Sequence, residues 1–413
     1  MNKIFISLIL FFFILAPRLN LSFQIHTGFI TVLLIFLFNY KNSIKALRSK
    51  ENIYFISFLF FLIVYHFCLA INYGNDYSQF ILILSSLTLY TIFSFAISSY
   101  FYQRDEEYKS VVDLIHLVVI IVFVNSLLIL FEFQYPDFKI YLETLLVNDG
   151  TTNINYIDHP FRLRGLASSG GASLSMLNAA IIWFCVVLAK RGHINISFAF
   201  VILLIINLSN IFTGRTGLIY GIIFSIYFLL FVYVKNVFQK PRIFIRDSLI
   251  CIFILIYLPN IEISDEIISW AFEWTNVFKS GIFSTNSSDD LKQMIFIPDN
   301  IFHFLFGIGF FEGTNDYYPR TDSGYLKTLL SLGFLISLIF YIILFVKIIK
   351  ITKINNKLRM LFYPVIILLL ISEVKEPFIY QNYLSRTIFI FIGLATYIRY
   401  ENNRNDKINI LRN

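Results

Sequence analysis

A succession of long apolar segments constrains this chain more than any other feature. A bilayer-spanning helix needs about 20 mainly apolar residues. Twelve segments approach that length, near 4–16, 21–40, 53–71, 79–101, 111–133, 171–189, 196–212, 217–234, 243–258, 325–346, 361–374 and 386–400. The first, ninth, eleventh and twelfth are short. Only 14% of the 413 residues are charged, against about 25% in a soluble globular domain. The sequence therefore predicts an all-α polytopic membrane protein of about twelve transmembrane helices, read as one integral membrane domain over 1–413. The apolar N-terminal stretch lacks a small-x-small cleavage site and is followed at once by another span, so it reads as a retained first helix. Cys68, Cys185 and Cys251 each fall within a span and imply neither a disulfide framework nor a cysteine metal site.

Orientation follows from lysine and arginine, which are retained in cytoplasmic loops. With both termini cytoplasmic, the inner segments carry two thirds of the 33 basic residues and fewer than a third of the 26 acidic ones. The net charge of +7 is thus a topology signal; no aromatic-interleaved basic groove suggests a nucleic acid. This topology exposes two outer loops, about 134–170 and 259–324. In the longer one Ile267, Trp270, Ala271, Trp274 and Phe278 recur at helical spacing behind Ser264, which predicts an amphipathic helix along the interface. A second short helix is expected after Ser287 and Ser288.

Three outer turns share a design: small or hydroxylated residues, an arginine, then the start of a membrane helix. They are HPFRLRGLASSGGAS with His159, Arg162 and Arg164, FTGRTGL with Arg215, and YYPRTDSGY with Arg320 and Asp322. A helix N-terminus offers free N–H groups to an anion, and the arginine fork grips phosphate oxygens in pairs. Together the turns predict a pyrophosphate cradle. Plainer readings stand beside it. Interfacial arginines also pair with lipid headgroups, Asp322 or Thr321 suits a simple N-cap, and Glu373, Lys375 and Glu376 could pair among themselves. His159, ahead of Pro160, fits a structural loop position better than a catalytic one. His66 and His116 fall within spans, where an ionisable group is either packed or functional. No GxxxxGK[ST], HExxH or GxSxG motif and no metal-spaced His/carboxylate cluster occurs.

The order of FRLRGLASSGGAS, NLSNIFTGRTGLIYG, LFGIGFFEG, TDSGYLKTLLSLGFL and EVKEPF resembles the Wzy-type repeat-unit polymerases of O-antigen and capsule synthesis, and more distantly the O-antigen ligases. The resemblance covers residues 160–400, and order and topology carry it more than any single motif. It implies a GT-C-like membrane fold with a large periplasmic loop in the bacterial inner (plasma) membrane. It implies glycosyl transfer without metal or other cofactor, from an undecaprenyl-diphosphate-linked glycan donor to a lipid-linked acceptor among membrane lipids. It leaves open whether a chain-length regulator binds. On that pattern Arg162 or Arg164, Arg215 and Arg320 bind diphosphate. Asp322 is the favoured base or acceptor-orienting group, with His159 and Glu376 in reserve and Lys375 supporting. Many relatives place an arginine in the large loop where this chain has only Lys292, a point charge without the fork. The same residues are compatible with an O-antigen ligase, or with a lipid-linked oligosaccharide flippase or transporter.

Overall fold

The computed structural model describes residues 3–20, 24–104, 106–147, 162–257, 265–276, 294–311 and 317–412, with side chains left out at 250–257, 274, 276, 382 and 405–412. Helices dominate. In chain order they are α1 (Lys3–Leu15), α2 (Thr27–Phe38), α3 (Tyr40–Arg48), α4 (Lys50–Tyr73), α5 (Ser78–Ser98), α6 (Glu107–Gln134), α7 (Pro136–Leu145), α8 (Ala172–Lys190), α9 (Ile196–Thr213), α10 (Arg215–Phe228), α11 (Val234–Gln239), α12 (Arg242–Tyr257), α13 (Asp265–Ala271), α14 (Ile301–Phe306), α15 (Gly324–Thr352), α16 (Lys357–Ser372) and α17 (Asn382–Arg412). A π-helical segment, Leu229–Tyr233, joins α10 to α11.

Every one of the twelve predicted apolar segments contains a helix. Among the described residues seven helices are long and apolar enough to cross a membrane: α4, α5, α6, α8, α9, α10 continued through α11, and α15. An eighth arises if α2 and α3, bent by 96°, count as one span. The chain is therefore a multi-pass membrane protein. Four of the five segments that fall short have local causes. Helix α1 stops after 13 residues, just before Ala16 at positive φ and Pro17, because proline lacks the N–H a helix would use. Helices α12 and α16 reach 16 residues each. The second predicted segment is split: Gln24–His26 pairs antiparallel with Arg18–Asn20 before α2 starts.

The chain packs into two compact units, Met1–Thr31 with Ile115–Phe283, and Val32–Leu114 with Ser284–Asn413. In the first, α8 is buried on all sides among its neighbours, as expected of a helix apolar all round. Helices in lipid gain little from burying apolar surface against one another, so small residues that let backbones approach carry the packing. Gly217 and Gly221 form a GxxxG face on α10; a Cβ at Gly217 would overlap the Ser175 carbonyl of α8. The hairpin strand Arg18–Asn20 also receives the end of α7, through Val147 N–H to Arg18 O at 2.8 Å.

In the second unit α5 packs on α17 and α4, and α15 meets α4, α16 and α17. Hydropathy along α15 gives no warning of its break: Gly333 sits inside it at φ 77°, ψ 165°, a region open essentially to glycine. A break inside a membrane segment needs internal partners for the freed backbone groups, and the glycine-bounded loop after α14 supplies them. Ile308 N–H donates to Leu330 O at 2.8 Å and Ser331 Oγ donates to Phe310 O at 2.9 Å. Asn75 Nδ2 ties the Ile308 carbonyl at 2.8 Å and Tyr65 OH the Phe306 carbonyl at 2.7 Å. The Gly307 and Gly309 turns, both at positive φ, bring that loop into register. A methyl group at Gly333 would overlap the backbone of Leu305 and Phe306. The Gly333→Ala variant is expected to lose more than the ~1–3 kcal/mol of a strained backbone position, read as a lower thermal midpoint of the detergent-purified protein; an unchanged midpoint would contradict the break.

Candidate functional site

The first two arginine turns come together in the first unit. Helix α9 ends at Thr213, and its last carbonyls lack intrahelical donors. The Phe212 carbonyl is taken by the backbone N–H groups of Arg162, at 2.6 Å, and Leu163, at 2.9 Å. This docks the turn that carries Arg162 three residues from Arg215, the first residue of α10. Helix α8 starts beside it: Gly214 and Gly171, the residues preceding α10 and α8, lie in close backbone approach. Two helix N-termini and two arginines thus share one corner. Arg162 is half-buried and held at φ 72°, uncommon for a residue with a Cβ. Its charge is close enough to act on Arg215.

Arg215 is mostly buried and ion-paired with Glu273 in the 3₁₀ turn Glu273–Asn276. Its guanidinium also lies 5.3 Å from the Trp270 ring centre on α13. The predicted amphipathic helix is therefore shorter than its periodicity suggested: α13 covers Asp265–Ala271 and tightens into that turn. Ile267 and Ala271 are buried. Ser264 and Phe278, the second loop helix, His159 and Lys292 lie outside the described residues.

Arg164 corrects an expectation. It is fully buried, and its fork closes on Glu143 of α7 through Nε to Oε1 at 3.0 Å and through Nη2 to Oε2. Nη1 donates to Ser168 O at 2.8 Å. Next to it the Gly165 N–H donates to Glu132 Oε2 at 2.9 Å, and Asn125 bridges Leu166 N–H and the Arg164 carbonyl. With its donors spent inside the protein and no exposed surface, Arg164 holds the turn that presents Arg162 rather than facing a ligand.

The third turn lies in the second unit. Arg320 is exposed and Asp322 half-buried, and no hydrogen bond or ion pair engages either of them among the described residues. Asp322 is not the cap: Ser323 occupies the N-cap position of α15, and its N–H is taken by Thr321 Oγ1 at 3.2 Å. A fully buried carboxylate, Glu373, braces this turn from the end of α16. It accepts from Tyr341 OH at 2.9 Å and from Ile379 N–H at 3.0 Å, while its carbonyl takes Gly324 N–H at 2.9 Å. Glu373 is therefore not absorbed in pairing with Lys375 or Glu376, which are half-buried on the same turn. His303 of α14 is boxed by Tyr73, Tyr317 and Tyr318, the last two just ahead of Arg320 in the sequence, with Nδ1 3.0 Å from Tyr318 OH. Burial pushes the Tyr318 phenol above its usual range.

Sequence reasoning missed Glu143, Glu273 and His303 as partners, and sought those of Glu373 in Lys375 and Glu376 instead of Tyr341 and Gly324. Their mates are distant along the chain, and no spacing rule links them. The periodic Trp270 was visible, but not its ring against Arg215. Among the described residues no group of three or more His, Cys, Asp or Glu side chains is placed to hold a metal ion. Comparison of the chain with protein families, curated proteins and solved structures finds no match.

Removing one partner of a buried ion pair leaves an uncompensated charge, at a cost of about 3–5 kcal/mol. Glu143→Ala is expected to destabilise the protein by that amount in thermal or denaturant unfolding, whereas Arg320→Lys leaves stability unchanged. Equal stability of Glu143→Ala and the native chain would remove Arg164 from its structural role.

Proposed function

We propose that the chain is a glycosyltransferase of the Wzy polymerase type, joining undecaprenyl-diphosphate-linked repeat units into O-antigen or capsular polysaccharide at the outer face of the plasma membrane. The observation that carries this reading is the docking of the Arg162 turn onto the end of α9, beside Arg215 at the start of α10. Two forks and two helix N-termini at one corner suit a diphosphate. Glu273 holds Arg215 when no substrate is present; a diphosphate, with more charge and more acceptor oxygens than one carboxylate, displaces it. Arg162 and Arg215 then stabilise the charge that develops on the departing lipid diphosphate. Arg164 positions Arg162. In the second unit, taken by itself, Arg320 and Asp322 are unengaged by described partners, which leaves the arginine able to take a phosphate group and Asp322 a hydroxyl, as base or orienting group. Glu376 and His159 stay in reserve for that proton, and Lys375 and Lys292 as supporting cations. Both termini face the cytoplasm on the charge distribution of the sequence. An O-antigen ligase uses the same chemistry with a lipid A core acceptor.

A lipid-linked oligosaccharide flippase is the second reading, favoured by the break of α15 at Gly333, since transporters bind substrate at discontinuous helices. Against it, the freed Leu330 carbonyl and Ser331 hydroxyl are already engaged by residues 308 and 310.

Arg215→Lys and Arg320→Lys are each expected to reduce glycan chain extension severely, by roughly the 10²–10³-fold typical of losing one oxyanion-stabilising donor, while the protein still inserts. Ladders of native length from both variants would sink the reading of these arginines as phosphate ligands. A deletion strain separates polymerase from ligase: loss of the polymerase leaves single repeat units on the core, loss of the ligase leaves none.

A further inference from the structure

The second unit carries a cluster of cations that the proposed reaction does not use. Glu51 and Phe55 lie one turn apart on α4, and Lys347 and Lys350 one turn apart on α15, so each pair shares a helix face. Arg399 of α17 completes the group. Glu51 sits 3.1 Å from Lys350 Nζ, and Arg399 Nη1 reaches both Glu51 oxygens at 3.0 and 3.2 Å. Lys347 points inward: it is 7% exposed, its Nζ has no hydrogen-bond partner among the described residues, and it lies 4.3 Å from the Phe55 ring centre. Three cations thus converge on one carboxylate. A buried ammonium without hydrogen bonds is costly, and one aromatic face returns only about 2 kcal/mol of it. Lys350, Glu51 and Arg399 each remain about a third exposed, so the cluster has an open mouth with a buried cation behind it.

We propose that this cluster binds a phosphate group, supplied by the headgroup of an anionic phospholipid. A phosphodiester carries the missing negative charge and enough acceptor oxygens to take donors from Lys347, Lys350 and Arg399 at once. Basic pockets between membrane helices on the cytoplasmic side bind anionic headgroups in this way, and on the charge distribution of the sequence this end of α4, α15 and α17 faces the cytoplasm. The site stands independently of the glycosyl-transfer reading, because its readout is lipid binding rather than activity.

The test is native mass spectrometry of the full chain in detergent, titrated with phosphatidylglycerol, phosphatidylcholine or inorganic phosphate. The native protein is expected to retain phosphatidylglycerol over phosphatidylcholine. Lys347→Met and Lys350→Gln are each expected to weaken phosphatidylglycerol roughly ten-fold, the size of one charge-assisted hydrogen bond, without changing phosphatidylcholine. Lys350 is the more exposed of the two, so its variant reports even if Lys347→Met does not fold. Equal retention of the two lipids, or unchanged phosphatidylglycerol binding in both variants, overturns the site. Displacement of the lipid by millimolar inorganic phosphate overturns the lipid as its occupant.

Discussion

Two backbone N–H groups closing on one helix-end carbonyl hold together the corner of the first unit that carries Arg162 and Arg215. The Phe212 carbonyl would be unpaired at the end of α9, and in a membrane protein an unpaired backbone group is expensive. Arg162 and Leu163 satisfy it, which fixes one arginine turn against another. Everything else at the corner secures that contact. The buried Arg164–Glu143 pair clamps the turn from one side. The glycine face of α10 lets α8 approach closely enough for their N-termini to meet. The 3₁₀ turn with Glu273 then covers Arg215.

The same rule shapes the second unit with other residues. Helix α15 breaks at Gly333, and the 307–310 loop gives back the hydrogen bonds that the break removes. Glu373, buried at the end of α16, ties the start of α15 through its own carbonyl and the Tyr341 hydroxyl. Arg320 and Asp322 sit on that braced turn with no described partner. At these two described places irregular backbone meets partners supplied by the chain itself, and the candidate side chains are carried on or beside them.

Much of this was legible in the sequence, because apolar runs in a membrane have one backbone solution. Each predicted segment contains a helix, and the three arginine turns stand at or beside helix starts. The rest was hidden for physical reasons. Arg164 and Arg215 carry the same charge in similar glycine-rich turns, yet one is sealed against Glu143 and the other lies under Glu273; only tertiary placement of those acids separates them. The break in α15 leaves no mark on hydropathy, since SLGFL is as apolar as its flanks. Lys347 looked like one more inner positive charge, although its side chain turns into the protein.

As proposed, the protein handles a lipid diphosphate chemically rather than carrying it across a membrane. Purified protein in detergent, supplied with undecaprenyl-diphosphate-linked repeat units and no sealed compartment, measures this directly. If the proposal holds, a ladder of lengthened glycans forms with release of undecaprenyl diphosphate. Unchanged single units would contradict it, because a transporter cannot lengthen a glycan and an active polymerase needs no compartment to do so.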